Sequence, residues 1–211
     1  MKNQNLVTVL DGQPVLPVLV IERLADAVPL AMALMRGGLP AIEVTLRTPD
    51  ALDAIRLIAD EAPEVIVGAG TVRNAAQFQE AAAAGSRFIV SPGVTQELID
   101  AANISRMPFL PGVATPSEAM ALMEEGLTMM KFFPAEPAGG AEYLKALSSP
   151  LPEARFCPTG GITAESAARY LALPNVICVG GSWVAPAGLV ADRNWQAIED
   201  LAREAARLRR A

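Results

Sequence analysis

The sequence AIEVTLRTPDALDAIRLIADE (residues 41–61) contains one complete strand-and-helix unit. Its first five residues form a largely apolar run that is typical of a buried strand, and Ala51 to Glu61 is an amphipathic stretch that is typical of a helix packed on a sheet. A short strand followed by such a helix is the repeating unit of parallel α/β folds, because the helix returns the chain to the start of the next strand. This stretch therefore predicts an α/β protein.

The same alternation occurs eight times along the 211 residues. The predicted strands are Val15 to Ile21, Ala41 to Thr45, Val65 to Ala69, Arg87 to Val90, Met107 to Leu110, Met129 to Phe132, Ala154 to Pro158 and Val176 to Val179. The predicted helices between them are Ala25 to Arg36, Ala51 to Glu61, Ala75 to Ala84, Gln96 to Asn103, Pro116 to Glu125, Ala141 to Leu147 and Ala164 to Leu173. We also expect an N-terminal helix from Asn3 to Leu10 and a closing helix from Trp195 to Arg209.

Eight such units predict a (β/α)8 TIM barrel with an extra N-terminal helix. A doubly wound open sheet has the same local alternation and is the alternative. No Ser-rich or low-complexity linker interrupts the series, so we expect one barrel domain over residues 1–211.

The charge and composition of the chain argue against several classes of partner. A net charge of -6 without basic clusters argues against nucleic acid and against an anionic membrane surface. The chain has neither a bilayer-length apolar run nor a secretion signal in residues 1–14, so we expect a soluble cytoplasmic protein. Cys157 and Cys178 lie in separate apolar segments and are expected to be buried, reduced thiols. Because the chain has no histidine, imidazole catalysis and the commonest zinc sites are excluded, and acid–base chemistry falls to carboxylates, lysine, tyrosine or water. We expect no cofactor, and a Schiff base, whose imine is itself an electron sink, would need no metal.

Lys131 is the strongest candidate for a catalytic group. It lies in the apolar run LTMMKFFP (residues 127–134) and is one of only three lysines. An ammonium group among Met and Phe side chains is costly unless it is paired, and desolvation favours the neutral amine, which can attack a carbonyl carbon and form a Schiff base. The structural alternative is a lysine that reaches solvent, or one that is held by a carboxylate for stability alone.

Glu43 is the candidate acid–base group. In a strand, Glu43 and Thr45 share one face, which directs the carboxylate to the barrel interior or its mouth. A carboxylate between apolar walls is suited to proton transfer near neutral pH, although it could instead serve as the counter-charge of Lys131 or Arg47. Arg47, just past the strand, can bind a carboxylate or phosphate through two parallel hydrogen bonds, and Thr71, after the third strand, offers a hydroxyl.

Paired glycines follow the seventh and eighth predicted strands, at Gly160-Gly161 and Gly180-Gly181. Such turns expose backbone N–H groups, which bind an anion when the turn opens a helix. In a TIM barrel the loops after these two strands are the usual phosphate site, so the sequence predicts one here, with Ser182 as a further hydroxyl. Tight turns needed only for chain geometry are the alternative.

Five motifs, taken in order, resemble the class I 2-keto-3-deoxy-6-phosphogluconate (KDPG) aldolases, which also cleave 4-hydroxy-2-oxoglutarate (KHG). The motifs are EVTLRT (43–48), VGAGTV (67–72), SPG (91–93), KFFPAE (131–136) and PTGGI (158–162). The likeness extends from the first predicted strand to Trp183. An ordered set of this kind is far more specific than any one of its motifs.

The resemblance implies a TIM barrel, usually a homotrimer, that reversibly cleaves a phosphorylated keto acid into pyruvate and glyceraldehyde 3-phosphate. It implies that Lys131 forms the Schiff base, that Glu43 moves protons, and that Arg47 with Thr71 holds the carboxylate of pyruvate. The pocket-shaping residues would be Pro92 and Phe133, and the phosphate would lie among Thr159, Gly160, Gly161, Gly181 and Ser182. The alternatives are a phosphosugar isomerase or epimerase on the same barrel and a non-catalytic barrel that binds a phosphorylated metabolite.

Overall fold

The computed structural model describes residues 4–10 and 12–208. Its parallel strands are β1 Val15–Leu19, β2 Ala41–Thr45, β3 Ile66–Gly70, β4 Ile89–Val90, β5 Phe109–Leu110, β6 Gly112–Val113, β7 Met129–Phe132, β8 Arg155–Pro158 and β9 Val179–Gly181. β5 lies within the predicted fifth strand, Met107 to Leu110, and β6 continues that strand beyond its predicted end, after Pro111. Proline has no N–H to give to a ladder, but the Pro111 carbonyl accepts a 2.8 Å hydrogen bond from the Lys131 N–H, so the strand continues across it.

The strands close into a barrel. Hydrogen-bonded neighbours run in the orders β5-β4-β3-β2-β1-β9 and β6-β7-β8, and β5 leads into β6 at one junction. At the other junction, β8 is joined to β9 and to the residues just before β9 by isolated bridges from Phe156 to Val176 and from Thr159 to Gly180. The closed ladder confirms the (β/α)8 TIM barrel and argues against the open doubly wound sheet.

Helices follow the strands as expected. They are α1 Gln4–Leu10, α2 Ala27–Arg36, α3 Ala51–Glu61, α4 Ala75–Ala83, α5 Gln96–Ser105, α6 Pro116–Glu124, α7 Gly140–Leu147, α8 Ala164–Leu171, α9 Ala187–Ala191 and α10 Trp195–Ala206, with a 3-10 turn at Leu24–Asp26 before α2. Among residues 4–10 and 12–208, no helix combines the length and the apolar character needed to cross a bilayer.

A few predicted boundaries differ from the observed ones. The first strand ends at Leu19 instead of Ile21, because its ladder with β2 stops at the Leu19–Val44 pair. The last strand spans Val179–Gly181 and not Val176–Val179, since only an isolated bridge at Val176 precedes it. α9 was not predicted, and the expected helix ends at Asn3 and Arg209 lie outside the described residues.

The core has two layers. One fills the space between the strands and the outer helices, and the other fills the lower barrel interior with Leu16, Ala41, Phe88, Val90, Leu110, Met129, Cys157 and Cys178. Leu6 and Leu10 of α1 belong to this interior cluster and are fully buried, so α1 closes the N-terminal end of the barrel. Because side chains alternate along a strand, Glu43 and Lys131 face the interior one layer above Ala41 and Met129, toward the C-terminal end.

Candidate active site

Lys131 and Glu43 form a buried ion pair inside the barrel. Lys131 Nζ of β7 lies 3.2 Å from Glu43 Oε1 of β2, and the two side chains are 5% and 1% exposed. The alternative in which the Lys131 ammonium group reaches bulk solvent is therefore wrong. Glu43 is the counter-charge of Lys131, and at this distance it is also the group to which the lysine can transfer a proton.

The position of the Glu43 carboxylate depends on Gly70 at the end of β3. A Cβ atom at Gly70 would overlap the Glu43 side chain, so only glycine leaves room for the carboxylate beside Lys131. Glu43 Oε2 is buried and has no hydrogen-bond partner within the described part of the chain. A buried acceptor without a partner is costly, so this oxygen is suited to a hydroxyl or water brought in with a ligand. No local pattern in the sequence indicates this role of Gly70.

Phe133 connects the lysine to the first diglycine turn. Lys131 Nζ lies 5.4 Å from the centroid of the half-buried Phe133 ring, which is within cation–π range. A Cβ at Gly160 would lie 3.4 Å from Cδ2 of the same ring, so the ring and the turn are neighbours. Phe133 is thus a wall between the amine and the predicted phosphate loop.

Pro92 lies beside the strand that pairs with the lysine strand. Gly112 and Lys131 are ladder partners in β6 and β7. A Cβ at Gly112 would overlap the backbone of Pro92, so the turn after β4 packs directly on Gly112. The structure therefore places Pro92 one strand away from Lys131, at the mouth of the barrel.

Arg47 and Thr71 meet at the opposite side of the mouth. Arg47 Nε donates a 3.3 Å hydrogen bond to Thr71 Oγ1. Thr71 has a φ of 59°, a left-handed conformation that is uncommon for a β-branched residue and that often marks a functional site. Arg47 is exposed and forms no ion pair with any residue of 4–10 and 12–208, so its charge is available to an anionic ligand.

The two diglycine turns lie side by side. Thr159 is buried and bridges to Gly180, where a Cβ would overlap the threonine hydroxyl. Gly160 and Gly161 have φ values of 106° and 80°, which L side chains rarely adopt. The structure thus brings together Thr159, Gly160, Gly161, Gly181 and the exposed Ser182 as the sequence predicts.

Glu136 supports the first of these turns from behind. Its N–H donates to the Gly160 carbonyl at 3.0 Å, and its carboxylate accepts a 2.9 Å hydrogen bond from the Tyr170 hydroxyl and lies 3.7 Å from Arg169. Desolvation, and next the hydrogen bond to Glu136, raise the pKa of Tyr170 above its ordinary range. Tyr170 therefore stays a neutral donor and does not serve as a base.

Comparison with known proteins decides which chemistry this site belongs to. The family model for KDPG and KHG aldolase matches residues 6–201. The chain belongs to the KDPG and KHG aldolase family. This membership confirms the resemblance carried by the five motifs, and it favours an aldolase over the isomerase, epimerase and non-catalytic alternatives.

Relatives match over nearly the whole chain. The KHG/KDPG aldolase of Escherichia coli K12 is 50% identical over 198 residues, which cover 94% of this chain and 93% of that protein. The crystal structure of the Zymomonas mobilis ZM4 KDPG aldolase with 3-phosphoglycerate has a TM-score of 0.93 and 49% identity, covering 99% of this chain and 98% of that one. The Legionella pneumophila KDPG aldolase, with pyruvate captured at low pH as a covalent carbinolamine, has a TM-score of 0.90 and 48% identity, covering 92% and 95%.

In this member of the family, a cavity of about 580 Å³ extends from the barrel mouth along β1. One side is lined by Val18, the ladder partner of Glu43, and the other by Ser182 and by residues of α9. Its walls are mainly apolar, from Val20, Leu30, Trp183, Pro186 and Val190. The sequence did not predict this cavity, because part of its wall is formed by α9, the helix that was not predicted.

Proposed function

We propose that this protein is a class I aldolase in which Lys131 forms a Schiff base with the C2 carbonyl of a phosphorylated 2-keto-3-deoxy sugar acid. The substrate is KDPG, and the products are pyruvate and D-glyceraldehyde 3-phosphate. The observation that carries the proposal is the buried pair of Lys131 Nζ and Glu43 Oε1 at 3.2 Å, at the C-terminal end of the barrel. Family membership and the covalent pyruvate adduct of the Legionella relative support it.

The reaction begins when Lys131 transfers a proton to Glu43 and the neutral amine attacks C2. Glu43 then returns this proton to the hydroxyl of the carbinolamine, which leaves as water, and the nitrogen lone pair completes a protonated imine. Glu43, directly or through water, removes the proton from the C4 hydroxyl, the C3–C4 bond breaks, and its electron pair moves through C3 toward the imine nitrogen. The aldehyde leaves, the remaining enamine is protonated at C3, and hydrolysis releases pyruvate and Lys131.

The carboxylate of the keto acid binds to Arg47 and Thr71. Two features support this role: the exposed guanidinium is held at 3.3 Å from the Thr71 hydroxyl, and Thr71 has a left-handed backbone. A guanidinium binds a carboxylate in a fixed, bidentate geometry, which orients the C2 carbonyl toward the amine. Pro92 and Phe133 form the walls on either side of the lysine.

The phosphate of the substrate binds to the adjacent diglycine turns. The contributing residues are Thr159, Gly160, Gly161, Gly181 and Ser182, whose N–H and hydroxyl groups suit an anion. KHG has no phosphate, and it uses the lysine and the carboxylate site alone to give pyruvate and glyoxylate. We therefore assign both substrates to the same Schiff-base centre.

We also propose that residues 1–211 form one domain, that the domain assembles as a homotrimer, and that it acts in the cytoplasm. Ile104 of α5 and Met120 of α6 are large apolar side chains that are 85% and 53% exposed, which favours a subunit contact on this side of the barrel. The Cys157 and Cys178 thiols are buried without forming a disulfide, which is usual for a cytoplasmic protein. Size-exclusion chromatography with light scattering tests the trimer. We expect the measured mass to equal that of three 22.1 kDa chains.

Borohydride reduction in the presence of pyruvate tests the Schiff base. We expect one reduced pyruvyl group on the peptide that contains Lys131, together with loss of turnover, and no adduct in Lys131→Ala. Lys145→Ala is the matched control, because Lys145 is an exposed lysine of α7 away from the barrel mouth, and its adduct and turnover should equal those of the wild type. An active enzyme whose Lys131 peptide stays unmodified would contradict the mechanism.

A further inference from the structure

Asp26 is a buried carboxylate that holds two arginines. Its side chain is only 4% exposed. Arg23 Nε donates to Asp26 Oδ2 at 2.6 Å, and Arg193 Nε donates to Asp26 Oδ1 at 2.9 Å. Each carboxylate oxygen therefore has its own guanidinium partner. We call these three residues the Asp26 clamp.

The Asp26 clamp joins the loop after β1 to the end of α9. A second nitrogen of Arg23 donates to the carbonyls of Ala191 at 3.0 Å and Val190 at 3.4 Å, which are the last two residues of α9. Arg193 lies just beyond this helix, in a left-handed conformation with a φ of 52°. α9 has only five residues and none of them is buried, so its own packing against the barrel stabilises its position only weakly.

α9 is connected to the predicted phosphate site by a short chain of turns. The Ala185 N–H bonds to the Ser182 carbonyl at 3.1 Å, and the Val190 N–H bonds to the Pro186 carbonyl at 3.1 Å. The Trp183 ring packs against Gly181, since a Cβ there would overlap it. A shift of α9 would therefore move Ser182 and the end of β9 relative to β1.

The clamp and the site share one cavity. Arg23 and Asp26 line the 580 Å³ cavity at its outer side, while Val18 and Ser182 line it toward the barrel mouth. The clamp thus joins the β1 side of the cavity to α9 at its outer end, and Ser182, which would contact the phosphate of the substrate, lines the end nearer the barrel mouth.

We propose that Asp26 is a positioning residue for the phosphate end of the substrate. It keeps Arg23 and Arg193 in place, and through them it holds α9 and Ser182 against β1. The inference rests on the proposed function and goes beyond it, because it predicts that the clamp controls binding of phosphorylated substrates and leaves the chemistry at Lys131 unaffected.

Kinetics of Asp26→Asn on two substrates test this role. With KDPG we expect the KM to rise about tenfold with kcat nearly unchanged, because a misplaced binding group weakens the contacts it makes. With KHG, which has no phosphate, KM and kcat should stay near their wild-type values. Inorganic phosphate should also become a weaker competitive inhibitor of the variant by a similar factor.

Glu199→Gln is the matched control. The Glu199 carboxylate of α10 also forms an ion pair through each of its oxygens, with Arg36 at 2.9 Å and with Arg203 at 2.6 Å. It does not line the cavity, so its loss should leave the KM for both substrates unchanged. Arg193→Gln removes one of the two ion pairs of Asp26. Because the Arg193 side chain is 54% exposed, this variant should fold, and it provides the same test if Asp26→Asn does not fold. Arg193→Lys keeps the charge and should retain most of the wild-type affinity for KDPG.

The outcomes are distinct. Equal losses on KDPG and KHG, or unchanged kinetics in Asp26→Asn and Arg193→Gln, would overturn the positioning role and leave the clamp as a structural contact. Failure of the wild-type protein to cleave KDPG or KHG, or to form the pyruvate adduct, would instead overturn the proposed function.

Discussion

Gly70 lies where a Cβ atom would occupy the space of the Glu43 carboxylate. Gly70→Ala should therefore push the carboxylate away from Lys131 and lower kcat about 100-fold, because small displacements of a reacting group have effects of that size. Steady-state assays of pyruvate release measure it. Gly188→Ala is the control, since a Cβ there meets no atom within 4 Å. Full activity in Gly70→Ala would show that the pair tolerates a different geometry.

Arg47→Ala should weaken binding of pyruvate in the condensation direction. Removal of a guanidinium from a carboxylate leaves the anion without its partner, and we expect a KM for pyruvate at least about tenfold higher. Arg73→Ala removes a nearby exposed arginine and should have little effect. If both variants raised the KM equally, the effect would be one of general charge and not of a specific carboxylate site.

The capping box of α6 should make stability depend on pH. Desolvation acts to raise the pKa of Glu118, but hydrogen bonds from the Ala114 N–H, the Thr115 hydroxyl and the Thr115 N–H outweigh it, and the pKa is lowered. A lowered folded-state pKa adds stability above the ordinary pKa of glutamate, and this stability is lost as the pH falls through the folded value.

Thermal unfolding of Glu118→Ala measures this effect. Its Tm should lie below that of the wild type at neutral pH, and the difference should shrink in acid. Thr115→Ala, which removes the cap from the same box, should cost about 1 kcal/mol at neutral pH. Glu97→Ala is the comparison, because Glu97 is also an acidic residue in the first turn of a helix with a threonine cap, but the box partner found in α6 is Glu118. A Tm difference for Glu118→Ala that stayed constant from neutral to acidic pH would argue against the charged cap.

Cys157 and Cys178 should resist alkylation in the folded protein. The Cys178 thiol donates to Cys157 Sγ at 3.5 Å, and both residues are fully buried in the barrel interior. Reactivity of a thiol requires exposure and a thiolate, and these two lack exposure. Peptide mapping after iodoacetamide treatment should show both thiols modified only in denaturant. Rapid labelling of the native protein would mean that the interior opens frequently.

The sequence predicts the elements that repeat a local pattern. Strand and helix periodicity located all eight strand-and-helix units, and the two-residue alternation of β2 was enough to direct Glu43 inward. The rule that TIM-barrel phosphate sites follow the last two strands led to the turns at Gly160 and Gly180. The predictions of the strands, the helices and the inward direction of Glu43 are confirmed because each depends on neighbouring residues or on a general property of the fold, and the phosphate site at the two turns stays a prediction.

Features that depend on distant contacts were not predictable. The need for glycine at position 70 arises from the side chain of Glu43 on another strand. Asp26 and Arg193 are 167 residues apart and no local pattern links them. α9 is too short to show helical periodicity, so the cavity it borders was missed as well.

In the part of the chain that the structure describes, Leu6 and Leu10 of α1 close the N-terminal end of the barrel, so the space around Lys131 opens at the C-terminal end. Substrate and both products must pass through the same opening above Lys131. In the proposed mechanism, pyruvate stays covalently bonded to Lys131 after the carbon–carbon bond breaks, whereas the aldehyde is free. The covalent bond thus makes the aldehyde leave first and the keto acid second, and the closed N-terminal end makes both leave through the mouth of the barrel.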